Sequence, residues 1–215
     1  TEAEPIASVS MDELLSSDGE GFLVGQPAHV VELVIANIPE GVHALDVRDI
    51  TPYQVPQGQI GEVLVRGEHV NRGYVDNPEA DRENKLKCPD GRVWHRTGDA
   101  ARRDKGGRIW LVGRTKAVVW KGDRAIHPFL VEATLSELDG IRRAALVSHP
   151  GAPEGEVAVE LQQGTDLLEQ LDTVERLLGD LKLFGLPVRV VAEIPVDTRH
   201  NSKVDREALR TLLAP

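Results

Sequence analysis

The sequence predicts an α+β protein built in two successive parts. Residues 21–115 read as a β-rich stretch, one strand after another, interrupted by glycine and proline. Residues 116–215 alternate strands and helices in the order β-α-β-β-α-β-α, which makes a small sheet with helices packed on it. The clearest amphipathic helix also falls in the second part. In Asp166–Phe184, Leu167, Leu168, Leu171, Val174, Leu177, Leu178 and Leu181 recur at intervals of three and four.

Each element has a local cause. Residues 1–20 hold one short helix: Ser10-Met11-Asp12-Glu13 is a capping box, and the helix it opens is expected to run to Ser17. From Phe22 to Val65 the pattern is β. Val30–Ile38 is rich in Val and Ile, with Glu32 as its one charged interruption, and Gly58–Val65 is the next strand. Pro39, Gly41, Pro52 and Pro56 break any helix between them. Asn77 caps a short helix, Pro78–Lys85, with proline at the first helical position. Val93–Thr97 and Arg108–Val112 form a hairpin around Lys105-Gly106-Gly107, where glycine accepts positive φ without steric cost. Asp99 is expected just past the first of these strands and Arg114 just past the second.

Beyond Lys116, Ala117–Trp120 is a strand and Lys121-Gly122-Asp123-Arg124 a turn. A helix from Pro128 to Leu138 is expected to show Leu130, Ala133, Thr134 and Leu138 on one face, with Gly140 just past its end. Ala144–Ser148, Val157–Leu161 and Val188–Ile194 are strands, and Asp205–Leu213 is the last helix. Gly179 weakens the long helix by roughly 1 kcal/mol relative to alanine.

Composition narrows the function. A formal charge of −10 argues against a general binder of nucleic acid or anionic membranes. No apolar run reaches the length of a membrane span. The acidic N-terminus has neither the basic nor the apolar region of a signal peptide. The single cysteine, Cys88, cannot pair internally, which fits a reducing cytoplasm. The seven histidines are scattered, so no structural metal site is read. The chain begins at Thr1 and its only methionine is Met11, so it reads as a piece of something longer or a trimmed product.

Two places carry chemistry. A carboxylate (Asp99) and a guanidinium (Arg114) brought together by one hairpin can grip a diol or a phosphate; they can equally be a surface salt bridge. Lys203 lies in a loop just before a helix, where it is either a solvated lysine or a functional one. The order Arg96-Thr97-Gly98-Asp99, Gly107-Arg108-Ile109, Gly113-Arg114 closely resembles the signature of adenylate-forming enzymes, over more than twenty positions. That superfamily includes acyl-CoA synthetases, peptide-synthetase adenylation domains and firefly luciferase.

The resemblance implies roles for particular residues. Asp99 would hold both ribose hydroxyls of ATP, and Arg114 would also contact the nucleotide. Lys116 would be the hinge between a large domain and a small mobile C-terminal lid, residues 116–215. Thr1 and Glu2 look like the end of a Tyr-Gly-x-Thr-Glu motif, in which Thr contacts the α-phosphate and Glu helps hold Mg²⁺. Residues 1–20 would then be a remnant of the large domain's active-site segment. Gly61–Gly67, with Arg72-Gly73-Tyr74 and Asn77-Pro78-Glu79, resembles a mainly structural motif of a distorted, barrel-like subdomain, residues 21–115; Glu62 is given no catalytic role. Lys203-Val204-Asp205-Arg206 matches the closing Gly-Lys-x-Asp-Arg motif, with Ser202 in place of glycine, so Lys203 would serve adenylation.

Gly122 would belong to the face used in the second step. Its context is Lys121-Gly122-Asp123-Arg124 where acyl-CoA synthetases carry a glycine pair, which leaves CoA as one possible nucleophile among several. Thr1–Ser8 and Pro195–Lys203 look like the β-lactone synthetases of olefin pathways, close relatives of fatty acyl-CoA ligases that act on long-chain β-hydroxy acids without CoA. The expected activity is that of an AMP-forming ligase on a carboxylic, fatty acid substrate, with ATP and Mg²⁺. A phosphate loop and an acyl pocket are missing here, so the chain alone is expected to lack turnover and to need an N-terminal large domain as partner. The competing reading is a stand-alone, non-catalytic, lid-like interaction module.

Overall fold

The computed structural model of the protein describes residues 2–39, 41, 42, 50–197 and 203–215. The chain forms two compact units, Thr1–Lys116 and Ala117–Pro215.

The first unit begins with β1 (Ala7–Ser8) and α1 (Met11–Leu15). The capping box forms: Glu13 N–H donates to Ser10 Oγ at 3.2 Å, and Ser10 N–H donates to the Glu13 carboxylate at 3.3 Å. The helix ends two residues before Ser17. Next come β2 (Phe22–Pro27), β3 (Glu32–Ala36), β4 (Ile60–Arg66), α2 (Pro78–Asn84), β5 (Lys85–Lys87), β6 (Val93–Arg103) and β7 (Ile109–Arg114). Asn77 caps α2, its Oδ1 accepting from Ala80 N at 3.0 Å. The sequence reading ended this helix at Lys85, which instead opens the short strand β5.

Among the described residues the strands make one antiparallel sheet, in the order β1-β2-β7-β6-β4-β3, with β5 paired to β6. The sheet curls into a half-barrel. Side chains alternate between its faces. Leu33, Ile35, Val63, Val65 and Ile109 pack in one cluster, and Ala36, Leu64, Leu86 and Trp94 in another. β4 is therefore covered on both faces, which accounts for its unbroken Val63-Leu64-Val65 run.

Asp104 holds the β6–β7 turn together. Oδ1 accepts from Gly106 N and Arg108 N, both at 2.9 Å; Oδ2 accepts from Arg108 Nε at 2.8 Å and Trp110 Nε1 at 2.9 Å. Partial burial raises its pKa, but the Trp110 and Arg108 hydrogen bonds outweigh that and hold it at about 2, against an ordinary 3.8. The folded state thus binds this proton less readily than the unfolded one. The stabilisation is fully present above the ordinary value and is lost as pH falls through about 2. Allowing for solvent screening, it amounts to about 1–2 kcal/mol. Asp104→Asn should lower the urea midpoint at neutral pH, and that deficit should vanish toward pH 2. A deficit unchanged across the range would remove the ionic explanation.

The second unit comprises β8 (Val119–Lys121), β9 (Arg124–Ile126), α3 (Pro128–Ser136), β10 (Ile141–His149), β11 (Ala152–Leu161), α4 (Leu167–Asp180), β12 (Val188–Val191) and α5 (Arg206–Leu213). β10 and β11 are antiparallel, β11 and β12 parallel, and β8 and β9 form a separate hairpin. Alternation again sorts the core. Leu146, Val157 and Val159 join Val131, Leu135, Val174 and Leu178 of α3 and α4. Ala145, Val147 and Ala158 face Ile194 and, from α5, Leu209 and Leu213.

Several sequence expectations need correction here: Arg124–Ile126 adds a strand, so the order is β-β-α-β-β-α-β-α, the helix from Pro128 ends at Ser136 rather than Leu138, and the strand from Val188 ends at Val191 rather than Ile194. On α3 the buried stripe is Pro128, Val131 and Leu135; Ala133 is exposed, and Leu130 and Thr134 are only half-buried. The apolar residues of this helix nearly encircle it, so its period did not single out a face. The long helix stops at Asp180 rather than Phe184. Lys182 turns left-handed (φ 59°), and Lys182 N–H and Leu183 N–H bond back to Gly179 O and Leu178 O, both at 2.8 Å. This is a Schellman ending with its apolar contact between Leu183 and Leu178. A lysine at the left-handed position hid it from the sequence.

Candidate active site

The hairpin of the first unit builds the more complete candidate site. Asp99 and Arg114 do not lie past their strands, as the sequence reading had it. They are directly paired within β6 and β7. The strand continues through Gly98 because glycine supplies a positive φ (70°) and the pairing shifts register just beyond, between Ala100 and Ala101. Arg114 Nη1 lies 3.0 Å from Asp99 Oδ1 and donates to Thr97 O, also at 3.0 Å. The Asp99 side chain is 34% exposed and that of Arg114 61%. The carboxylate is thus oriented and partly exposed.

Support comes from residues the sequence reading gave no role. Thr97 Oγ1 donates to Val63 O at 2.9 Å and accepts from Asp99 N at 3.1 Å. Thr115 Oγ1 donates to Gly98 O at 3.2 Å. Glu62 is buried on β4; one oxygen takes Arg96 Nε at 2.9 Å and Nη2 at 2.7 Å, the other Gly98 N at 3.3 Å. A lone acid beside the apolar Val63-Leu64-Val65 run was the available signal. Next to this frame opens a cavity of about 440 Å³, lined by Ile6, Val24, Leu33 and Leu111 together with Thr97 and Asp99.

Lys203 belongs to the second unit and is exposed. Its N–H donates to Asp197 Oδ1 at 3.3 Å, and its carbonyl accepts from Asp197 N at 2.8 Å. Val196 and Val204 bridge beside it, and Asp205 caps α5 through Glu207 N and Ala208 N. Residues 198–202 of the same motif, and Thr1, lie outside the described residues.

No protein-family profile matches the chain. Individual proteins do. The chain is 34% identical to a 2-hydroxy-7-methoxy-5-methyl-1-naphthoate–CoA ligase of Streptomyces carzinostaticus, over 71% of its own length and 27% of the relative's. It is 30% identical to the olefin β-lactone synthetase of Xanthomonas campestris, over 97% of its length and 40% of the relative's. In structure it is similar to the amide bond synthetase McbA of Marinactinospora thermotolerans, at 29% identity and a TM-score of 0.65, over 90% of this chain and 36% of that one. The chain belongs to the adenylate-forming enzymes. It corresponds to their C-terminal portion and spans 27–40% of the two curated relatives named.

Set among adenylate-forming enzymes, three further residues have definite surroundings here. Lys116 lies in a 3₁₀ turn, Thr115–Ala117, and its exposed ammonium is 3.3 Å from Glu83. A surface pair of this kind adds little rigidity. Gly122 sits at the tip of the β8–β9 hairpin with φ 60°, and a Cβ there would meet nothing within 4 Å. Its glycine serves the turn rather than close packing. Arg124, two residues on, donates to Lys182 O at 2.7 Å and Leu181 O at 3.2 Å, capping the end of α4.

Glu2 is half-buried, and its carbonyl accepts from Asn71 N at 2.8 Å. Asn71 O in turn takes the ammonium of Lys85, which is fully buried over the Tyr74 ring. Burial pushes the Lys85 pKa below its usual value, while Glu2 and Asp81 pull it back up. Among the described residues no three His, Cys, Asp or Glu side chains converge as a metal cage. Mg²⁺ at nucleotide sites commonly rests on one or two carboxylates plus phosphates, so a single Glu2 fits that mode. No helix of the described residues is long and apolar enough to cross a membrane.

Proposed function

We propose that this chain is the C-terminal part of an ATP-dependent ligase that joins a carboxylate, a fatty acid, to AMP and then passes the acyl group to a second nucleophile. The observation that carries this is the Asp99–Arg114 pair, 3.0 Å apart and still open to solvent, held on a framed hairpin beside an apolar cavity. Two carboxylate oxygens can accept from two adjacent ribose hydroxyls, and Arg114 both orients Asp99 and donates to the nucleotide. Glu2 would hold Mg²⁺, which when bound supplies positive charge against the phosphates, and Thr1 would reach the α-phosphate. A substrate carboxylate oxygen bonds to the α-phosphorus as the bond to the bridging oxygen of pyrophosphate breaks. Lys203 offsets the charge that builds on both. The second nucleophile then attacks the acyl carbonyl and AMP leaves. A turn at Lys116 would exchange the Lys203 face for the face bearing Gly122.

The second nucleophile has two readings. CoA is one. The other is the substrate's own β-hydroxyl, closing a β-lactone. It is favoured by Asp123 beside Gly122 in place of a glycine pair, and by the likeness to the Xanthomonas enzyme over 97% of this chain.

The test is ATP–pyrophosphate exchange by the full-length protein with plain and β-hydroxy long-chain acids, with and without CoA. Exchange should depend on the acid, and Asp99→Ala should raise the KM for ATP about tenfold or more through loss of charge-assisted hydrogen bonds. No acid-dependent exchange would sink the reading and leave the non-catalytic module.

A further inference from the structure

Lys203 stands on a segment whose two feet are each held by a carboxylate, one fully buried and one half-buried. The upstream foot is Ile194. Its side chain is fully buried and its N–H donates to Glu160 Oε2 at 2.9 Å. Glu160 is 1% exposed, and its other oxygen takes Arg142 Nη1 at 2.6 Å. Arg143 reaches the Ile194 carbonyl at 3.4 Å.

The downstream foot is Arg206. Its Nη2 donates to Glu132 Oε2 at 2.8 Å and its Nη1 to Leu146 O at 2.9 Å, while Glu132 Oε1 accepts from Leu146 N at 2.9 Å. Leu146 lies on β10, at an edge of its sheet. Glu132 and Arg206 therefore close its outward N–H and C=O as a neighbouring strand would. Between the feet, Asp205 N bonds Pro195 O at 2.9 Å and Asp197 N bonds Lys203 O at 2.8 Å.

A carboxylate taken out of water loses solvation, and an apolar side chain often gives a more stable core. Two carboxylates on different elements, α3 and β11, converge on the two ends of one short segment. Glu132 also completes the edge of β10, but both carboxylates hold the segment that carries Lys203. We propose that Glu132 and Glu160 are positioning residues for Lys203, fixing both feet so that its ammonium is presented from one place. Lysine has a long, flexible stem, so a fixed base governs how often its charge meets the transferring phosphoryl group. This inference rests on the assignment of Lys203 to adenylation.

A double-mutant cycle in the full-length protein tests it. Glu160→Gln and Glu132→Gln should each lower the kcat of ATP–pyrophosphate exchange about tenfold, with KM for ATP and acid changed less than about twofold. In a Lys203→Ala background neither should lower the residual rate further, because the group they position is gone. Deuterium uptake at residues 192–197 and 203–206 should rise selectively. If Glu160→Gln fails to fold, Glu132→Gln, on the other foot, carries the cycle. A wild-type kcat, a matching rise in KM, or losses that multiply in the Lys203→Ala background would overturn the positioning role and leave the functional reading standing. Normal exchange by Lys203→Ala alone would instead bring down the functional reading, and this inference with it.

Discussion

Lys203→Ala should lower acid-dependent ATP–pyrophosphate exchange roughly 10²–10³-fold, the usual loss when one preorganised charge-stabilising donor is removed. The thermal midpoint should move by no more than about 1–2 °C, because substitutions at exposed positions usually change stability by under about 0.5 kcal/mol. The separation is possible because this residue's structural bonds are made by its backbone. Lys203 N–H and C=O pair with Asp197, and both survive truncation of the side chain. Lys203→Arg keeps the charge but replaces a compact ammonium with a planar fork, so it should recover only part of the rate. Exchange at the wild-type rate in Lys203→Ala would mean that another cation meets the phosphoryl group, and Lys203 would lose its role.

Much of this site was legible because its chemistry is local in sequence. The hairpin around Lys105-Gly106-Gly107 follows from its glycines, and the pairing of Asp99 with Arg114 follows from the hairpin. Caps at Ser10 and Asn77 could be read for the same reason, since each bonds three residues ahead. What stayed hidden depends on partners far away in the chain. Glu62 acts on Arg96 and Gly98 only once β4 and β6 are paired, and Glu160 on Ile194 only once the second sheet forms. Lys85 reads in sequence as a polar end to a helix; the fold buries it, with Asn71 O as its acceptor. A period of 3.6 also fails where apolar residues nearly surround a helix, as on α3.

Removing the carboxylate of Glu62 should be the most damaging single change in the first unit. Its side chain is 7% exposed and that of its partner Arg96 is 23% exposed. Glu62→Ala leaves a largely enclosed guanidinium unpaired and the Gly98 N–H without its acceptor. Breaking a buried pair in this way costs about 3–5 kcal/mol, and the partial exposure of Arg96 places this case near the lower end. Urea unfolding of the full-length protein should register that loss in the midpoint. Stability and site geometry can then be pulled apart. Replacing both partners, Glu62→Leu with Arg96→Leu, should restore much of the midpoint, because two apolar groups need no counter-charge. It should not restore nucleotide affinity, since the Gly98 N–H still lacks the oxygen that fixes the turn into Asp99. If the double variant regains both stability and the wild-type KM for ATP, Glu62 is a packing residue only. If stability returns while KM stays high, the buried carboxylate is part of what holds Asp99 in place for the ribose.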